Sequence, residues 1–516
     1  MIKYTSANQL TIEGFSSPFE NELSKTNRWV KLAAILPWDN LANEYAKKLN
    51  ANAGRQCVDI RMVIGAIIIK HKLKLSDRET VDTISENIYL QYFCGLKSFQ
   101  VEIPFDASLF VDIRKRMGGT SFEEWNKQVI EVADRIKPPK DKNITRQEND
   151  SPNDDSPNDD SPSGDKSENK GKIIVDATVA DQEITYPTDA TLLNRVRLES
   201  ERLIDLLCKI NESRKPRTYR RIAKKEFRNF SKKKRKSKKQ IRKFIRKQLG
   251  YIRRNLKHID LILNEIDAKT EYQKFPLSRR DQKIYWVIQI IFAQQLEMYN
   301  TKTNRIDHRI VNIYQPYVRP IVRGKTKTNV EFGSKINISL VDGMSRINRL
   351  SWEAYNESQM LQGQVEEFRE FYGHFPEIVL ADQIYLTRAN RKWLKERGIQ
   401  ISGKPLGRPK KEKLNAYQKR KRKKVINQRN RVEGKFGQGK RGYGLNNIRA
   451  KRMDTSESWI NSIFFVMNLV NLIKVAEKYA FFYFLCLKQV FLELFYKKMA
   501  LYGGNNKNIS QIYGKI

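Results

Sequence analysis

Residues 151–165 read SPNDD, SPNDD, SPSGD, a five-residue unit repeated with decay. The stretch holds no apolar side chain with which to enter a core, so it is expected to be a solvated linker. It sets a domain boundary near residues 140–170 and divides the 516-residue chain into parts that read differently.

Before the boundary the pattern is helical. Val63, Ile64, Ile67 and Ile68 fall on one helical face. Ser76-Asp-Arg-Glu79 is a capping box, followed by Thr80, Ile84 and Ile88 at helical spacing. A third helix over Asp106–Met117 is expected to stop at Gly118-Gly119, and Thr120-Ser-Phe-Glu123 to open a fourth. Such short helices fit a helix-turn-helix reader of DNA and a plain helical bundle equally well.

After the boundary, Lys172-Ile-Ile-Val-Asp-Ala177 reads as a buried strand ending in a carboxylate, and Glu377-Ile-Val-Leu-Ala-Asp382 as another. Between them lie a helical, strongly basic stretch from about Asp189 to Leu263, strand signals at Arg309–Val322 and Lys335–Val341, and a helix over Ser351–Tyr372. A helix over Arg388–Arg397 follows the second strand.

The charge is concentrated. Arg214–Lys257 carries 22 Lys/Arg against one acid, Glu226, and Lys404–Arg452 carries 19 against two, Glu412 and Glu433. The two segments supply nearly all of the formal +40, which points to a polyanionic partner, nucleic acid before membrane. Tyr219, Phe227, Phe230, Phe244 and Tyr251 interleave with the first run, and at this spacing they read as packing residues before base-stacking platforms.

Cys57, Cys94, Cys208 and Cys486 form no Cys-x-x-Cys pair, and none of the four histidines has a second His or a Cys at metal-ligand spacing. A disulfide framework and a zinc site are therefore not expected, and a catalytic metal would be held by carboxylates. MIKYTSANQL is no signal peptide, and Trp459–Phe495 is broken by Asn461, Asn468, Asn471, Lys474, Glu477 and Lys478. That segment reads as a buried or amphipathic helix.

Glu433 is a lone acid among cations. Arg429, Glu433 and Lys440 are offset by −4, 0 and +7, which at ~100° per residue places them within about 40° on one helical face. Asp176, Asp382 and Glu433 together could hold two Mg²⁺, since Mg²⁺ prefers oxygen ligands and keeps positions open for water and phosphate. Arg429 and Lys440 would contact phosphates beside them. Plainer roles compete: a strand-terminal Asp is often a turn residue or cap, and Glu433 could simply pair with Arg429 or Arg431. The basic runs alone would fit a ribosomal or chromatin protein.

At these residues, over about 25–475, the chain resembles bacterial insertion-sequence transposases of the DDE type, in the insertion-sequence four and five superfamily. RNRVEGKFGQGKRGYGLNNIRAKR matches their signature of Tyr, two residues, Arg, three residues, Glu, six residues, Lys, with Arg429, Glu433 and Lys440 in place and Ile426 where Tyr is usual. Val175–Pro187 and the following TDATLLNRVR resemble the first catalytic strand, which assigns the first acid to Asp176 rather than Asp181 or Asp189. Leu380-Ala-Asp382-Gln-Ile-Tyr, with Arg388 and Asn390, resembles the second-acid motif, with Gln383 where Gly is frequent. Asp342 also ends a strand but does not match a catalytic position.

The resemblance implies an α/β, RNase-H-like (retroviral-integrase-like) catalytic domain over 171–475, with a mixed central sheet, flanking helices and a basic helical insertion at about 190–300. It implies an all-helical N-terminal domain over 1–140 that engages transposon ends. The linker would occupy 141–170, and a C-terminal helix and variable tail 476–516. It further implies catalytic and metal-binding Asp176, Asp382 and Glu433, two Mg²⁺ for which Mn²⁺ substitutes, and DNA contacts from Arg429, Lys440, Arg388, Arg431, Lys435 and Arg441. Partners would be inverted-repeat and target DNA and further copies of the chain, in the bacterial cytoplasm at the nucleoid, with no membrane. A catalytically inactive DNA-binding descendant and a basic RNA-binding protein are the alternatives.

Overall fold

The computed structural model describes residues 22–50, 57–102, 105–137, 169–269, 275–322, 330–402 and 415–502, the last with side chains to 480. The SPNDD repeats, residues 403–414 of the second basic segment and the final tail lie outside the described residues. Two compact units emerge, Met1–Ser167 with Asp342–Ser345 and Phe464–Ile516, and Glu168–Val341 with Arg346–Ile463.

The first unit is helical: α1 Arg28–Ile35, α2 Trp38–Ala46, α3 Ile60–Leu73, α4 Asp77–Glu86, α5 Ile88–Phe93 and α6 Leu109–Ile136. The face pattern of α3 understates its role, because Ile60 to His71 are all buried and the helix forms the centre of the unit. Ser76 and Glu79 form the expected capping box at the start of α4. The third and fourth expected helices follow one another within α6 and are separated by a kink at Gly118, where the backbone leaves helical geometry at φ 56° and ψ −173°, as the Gly118-Gly119 stop anticipates. The Thr120 side chain, on which the second capping box would depend, lies outside the described residues.

The strongly apolar segment belongs to α14, Met453–Tyr502. Contrary to the broken pattern read from its polar residues, Met453–Ala480 is long and apolar enough to cross a membrane by length and composition, yet most of its most apolar window is buried in the fold. Within the first unit, Asn468 donates to Asn126 Oδ1 and to the Ser345 carbonyl, both at 2.7 Å, and accepts from the Ser345 amide at 3.0 Å. A buried asparagine satisfied on several sides belongs in a protein core rather than in lipid.

The second unit is built on a mixed sheet of six strands: β1 Lys172–Asp181, β2 Arg319–Val322, β3 Val330–Val341, β4 Met344–Ser351, β5 Ile378–Ala381 and β6 Gln400–Ser402. The order is β2-β3-β1-β5-β6, with β4 also paired to β3. β1 runs antiparallel to β3 and parallel to β5, which is parallel to β6. Helices α11 Leu361–Tyr372 and α12 Arg388–Glu396 bury Val365, Phe368 and Leu394 in one cluster with Ile173, Val175, Val379 and Ala381 of the sheet. α13 spans Ala416–Gly442.

Two expectations need correction. The strand signal at Arg309–Val322 yields a strand only from Arg319, because Pro316 cannot donate and a turn closes from Gln315 to Val318 ahead of it. Ser351 ends strand β4 rather than opening a helix; the helical segment starts at Glu357, where the Asn356 side chain caps the Ser358 amide. Strand β4 itself went unread, although Asp342-Gly343 is a hairpin signal. Their φ values of 48° and 85° are the left-handed pair that a tight two-residue turn requires.

The basic stretch is a helical layer with its own core, formed by α7 Asp189–Ile210, α8 Arg220–Lys232, α9 Lys238–Lys269 and α10 Arg279–Thr301. Leu193, Val196, Leu203, Ile204, Ile252, Ile259, Ile288 and Ile291 fill it. The interleaved aromatics pack: Phe230 stacks on the buried Phe244 at 4.1 Å, Tyr251 donates to Glu226 at 3.1 Å, and Arg217 and Arg254 lie over the Tyr219 ring. The cations are left at the surface, Lys232 to Arg235 all exposed.

The far end of β1 pairs tightly with β3, where a Cβ on Gly333 would stand 1.9 Å from the Ala180 carbonyl oxygen. Gly333→Ala is expected to cost about 1–3 kcal/mol by forcing these strands apart. Gly250→Ala, with open space around it in α9, should instead stabilise by up to about 1 kcal/mol. Chemical denaturation of both variants checks the contrast.

Candidate active site

Asp176 is not the last residue of its strand, as the apolar run suggested. β1 continues to Asp181 because β3 pairs with it that far, to Asp181↔Gly333. What ends near Asp176 is the neighbour on the other side: parallel pairing of β1 with β5 runs from Lys172↔Ile378 to Val175↔Ala381. Asp176 and Asp382 thus stand one step beyond the last paired residues on adjacent strands. Side chains alternate along a strand, and Ile173, Val175, Val379 and Ala381 face the α11–α12 cluster. Asp176 and Asp382 therefore project from the other face, where α13 carries Glu433.

Arg429 ties the acids together. Its Nη2 lies 3.2 Å from Glu433 Oε1, one helical turn along α13, and its Nη1 lies 4.0 Å from Asp382 Oδ1. The carboxylates of Asp382 and Glu433 are open to solvent, whereas Asp176 is half-buried. Burial raises the Asp176 carboxyl to about 6; the Ala177 amide, which donates to Oδ1 at 2.8 Å, and the Arg429 guanidinium oppose the rise, and Glu357 and Asp382 add to it. Glu357, a fourth acid unread in the sequence, is held by Lys335 at 2.8 Å. Asp382 caps the short turn after β5, accepting from the Gln383 amide at 2.7 Å. Gln383 is not among the positive-φ residues, so that turn needs no glycine.

The remaining residues separate. Lys440 reaches Glu331 and Asp181. Arg388, Arg431 and Arg441 are exposed, and Lys435 is buried. Asn390 works inside the fold, donating to the Tyr385 and Ser358 carbonyls at 2.7 Å. Asp189 accepts from Arg309 and Gln295 next to the helical layer, and Asp342 occupies the hairpin turn and pairs with Lys137 at 3.1 Å. The Ile426 side chain lies outside the described residues.

Residues 379–470, which contain Asp382 and Glu433, match the family described as Transposase DDE domain. Residues 17–116 match a second, Transposase domain (DUF772). Both matches are to transposase domains, so two separate stretches of the chain are similar to transposases, one of them of the DDE type. A Rhizobium meliloti protein described as uncharacterized protein ORF8 in the nfe locus is 30% identical over 163 residues, which span 32% of this chain and 66% of that relative. No solved structure matches.

The raised Asp176 carboxyl carries a sign. Its folded value of about 6 lies above the ordinary 3.8, so the folded protein holds this proton longer than the unfolded chain, and stability falls as pH rises between those values. In metal-free protein, Asp176→Asn should be more stable than wild type at pH 7. The difference should shrink as pH falls and vanish below about pH 4, as urea denaturation across pH 4–7 will read.

Proposed function

We propose that this protein is a transposase that binds the inverted repeats at the ends of its own mobile element, cuts the strands there and joins them to target DNA, with Asp176, Asp382 and Glu433 as its catalytic acids. The observation that carries this reading is a guanidinium, Arg429, that pairs with Glu433 of α13 and lies 4.0 Å from Asp382, while Asp176 stands beside Asp382 on the adjacent strand and feels the same positive charge. The sheet order and its parallel β1–β5–β6 edge support an RNase-H-like catalytic unit.

The donor set suits Mg²⁺ or Mn²⁺. Three carboxylates offer only hard oxygen atoms, and a cation, Arg429, already lies between two of them. Among the described residues no three acids stand close enough to form a ready-made metal cluster, so Glu433 must leave Arg429 to join the aspartates. When bound, divalent ions would activate a water or 3′-hydroxyl and stabilise the leaving oxygen. Freed from Glu433, Arg429 can take a phosphate in bidentate fashion. Arg388, Arg431 and Arg441, all exposed, extend a cationic surface for the DNA backbone. We assign end recognition to the helical N-terminal unit, non-specific grip to the basic helical layer, synapsis to two or more copies, and the site of action to the cytoplasm at the nucleoid.

Nicking of end-bearing DNA should require Mg²⁺ or Mn²⁺ and stop with EDTA. Asp382→Asn and Glu433→Gln should each lose more than about 100-fold, since even outer-shell partners of metal ligands cost ~10–100-fold. Wild-type nicking by either variant removes the assignment and leaves a DNA-binding protein without this chemistry.

Binding should also be strongly salt-dependent, falling by about 10³–10⁵ between 50 and 200 mM salt if ~6–10 phosphates are neutralised. Neutralising Lys233 and Lys234 together should weaken binding on any sequence and reduce the slope of log K against log salt by about two. Fluorescence anisotropy at several salt concentrations measures it.

A further inference from the structure

We infer that Lys440 is a positioning residue that seats α13 on the sheet, and through it Glu433, rather than a contact to DNA phosphate. The inference rests on Glu433 being the third acid. Lys440 Nζ lies 3.4 Å from Glu331 Oε1 and 3.6 Å from Asp181 Oδ2. All three side chains are largely withdrawn from water, at 22%, 12% and 29% exposure. One ammonium thus separates two part-buried carboxylates that would otherwise repel each other on adjacent strands.

The backbone makes this a fixed point. Asp181 ends β1 opposite Gly333 of β3, whose missing side chain lets the strands close, and Glu331 lies two residues along β3 on the same face as Gly333. The chain beyond α13 is stitched to the same place. The Ile448 amide donates to the Asp181 carbonyl at 2.9 Å, and the Glu183 amide to the Ile448 carbonyl at 3.0 Å. α13 is therefore anchored to the far end of β1, the strand that also carries Asp176. Glu433 lies seven residues back from Lys440, about 10 Å along the helix, so the rotation and height fixed at Lys440 are inherited at Glu433. A phosphate contact would require Lys440 to abandon two carboxylates that it already neutralises.

The test uses the full-length protein and DNA carrying the element's end. Lys440→Met should bind that DNA with wild-type affinity and wild-type salt slope, while kcat for nicking at saturating DNA falls about tenfold or more, because small misplacements of a catalytic group are costly. Lys440→Arg should recover most of the rate. Asp181→Asn with Glu331→Gln, which keeps Lys440, should lower kcat in the same way, and adding Lys440→Met should then cost little more. A salt slope smaller by about one in Lys440→Met, with normal kcat at saturation and wild-type nicking by the acid variants, is the signature of a phosphate contact and overturns the inference. A denaturation double-mutant cycle between Lys440 and Asp181 reads the same link without cleavage, and additivity there also overturns it. Failure of the wild-type protein to nick would instead count against the proposed activity, and the cycle would still decide the role of Lys440.

Discussion

The parallel pairing of β1 with β5 is the contact on which the site depends. Four register pairs, ending at Val175↔Ala381, bring residues about 200 positions apart in sequence to neighbouring places and leave Asp176 and Asp382 just past their end. The pairing is secured by burial of alternate residues, Ile173 and Val175 with Val379 and Ala381, beneath α11 and α12. Because side-chain direction has period two, a slip of one residue would turn the aspartates into the α11–α12 cluster and the valines away from it. The hydrophobic face therefore specifies where the acids point.

Charge then organises what the sheet has assembled. The positive charge is spent in two ways. In the helical layer it stays on the surface over an independent core, where cations face water and stem carbons and aromatics pack beneath them. In α13 part of it turns inward: Arg429 is held by Glu433 and Asp382, and Lys440 by Glu331 and Asp181, while Arg431 and Arg441 stay exposed. Two cations of one helix thus fix it against the acids of the sheet at two heights, which makes α13 a strut as well as a source of ligands.

Much of this was legible in advance. Apolar runs ending in Asp gave both strands, the Ser76–Glu79 capping box gave α4, and the −4, 0, +7 spacing placed Arg429 and Glu433 in contact on one helical face. The length of β1, the start of β2 and the beginning of the helical segment at Glu357 were not legible, because each is set by a partner or cap rather than by local pattern. β1 reaches Asp181 only because β3 is there to pair with it. The asparagine that interrupts the greasiest helix looks like a fault in hydropathy, but it is a satisfied core residue once Asn126 and Ser345 are beside it.

The sequence alone determined which residues are candidates for the chemistry, their order along the chain, the two basic segments and the linker that no core can accept. These follow from short-range spacing and composition. Tertiary structure decided which acids meet, that Arg429 lies between two of them, that Glu357 raises the Asp176 carboxyl further, and that Lys440 turns toward Asp181 and Glu331. Those outcomes depend on strand register and on the face to which a helix docks, and both are settled by burial between residues far apart in the chain.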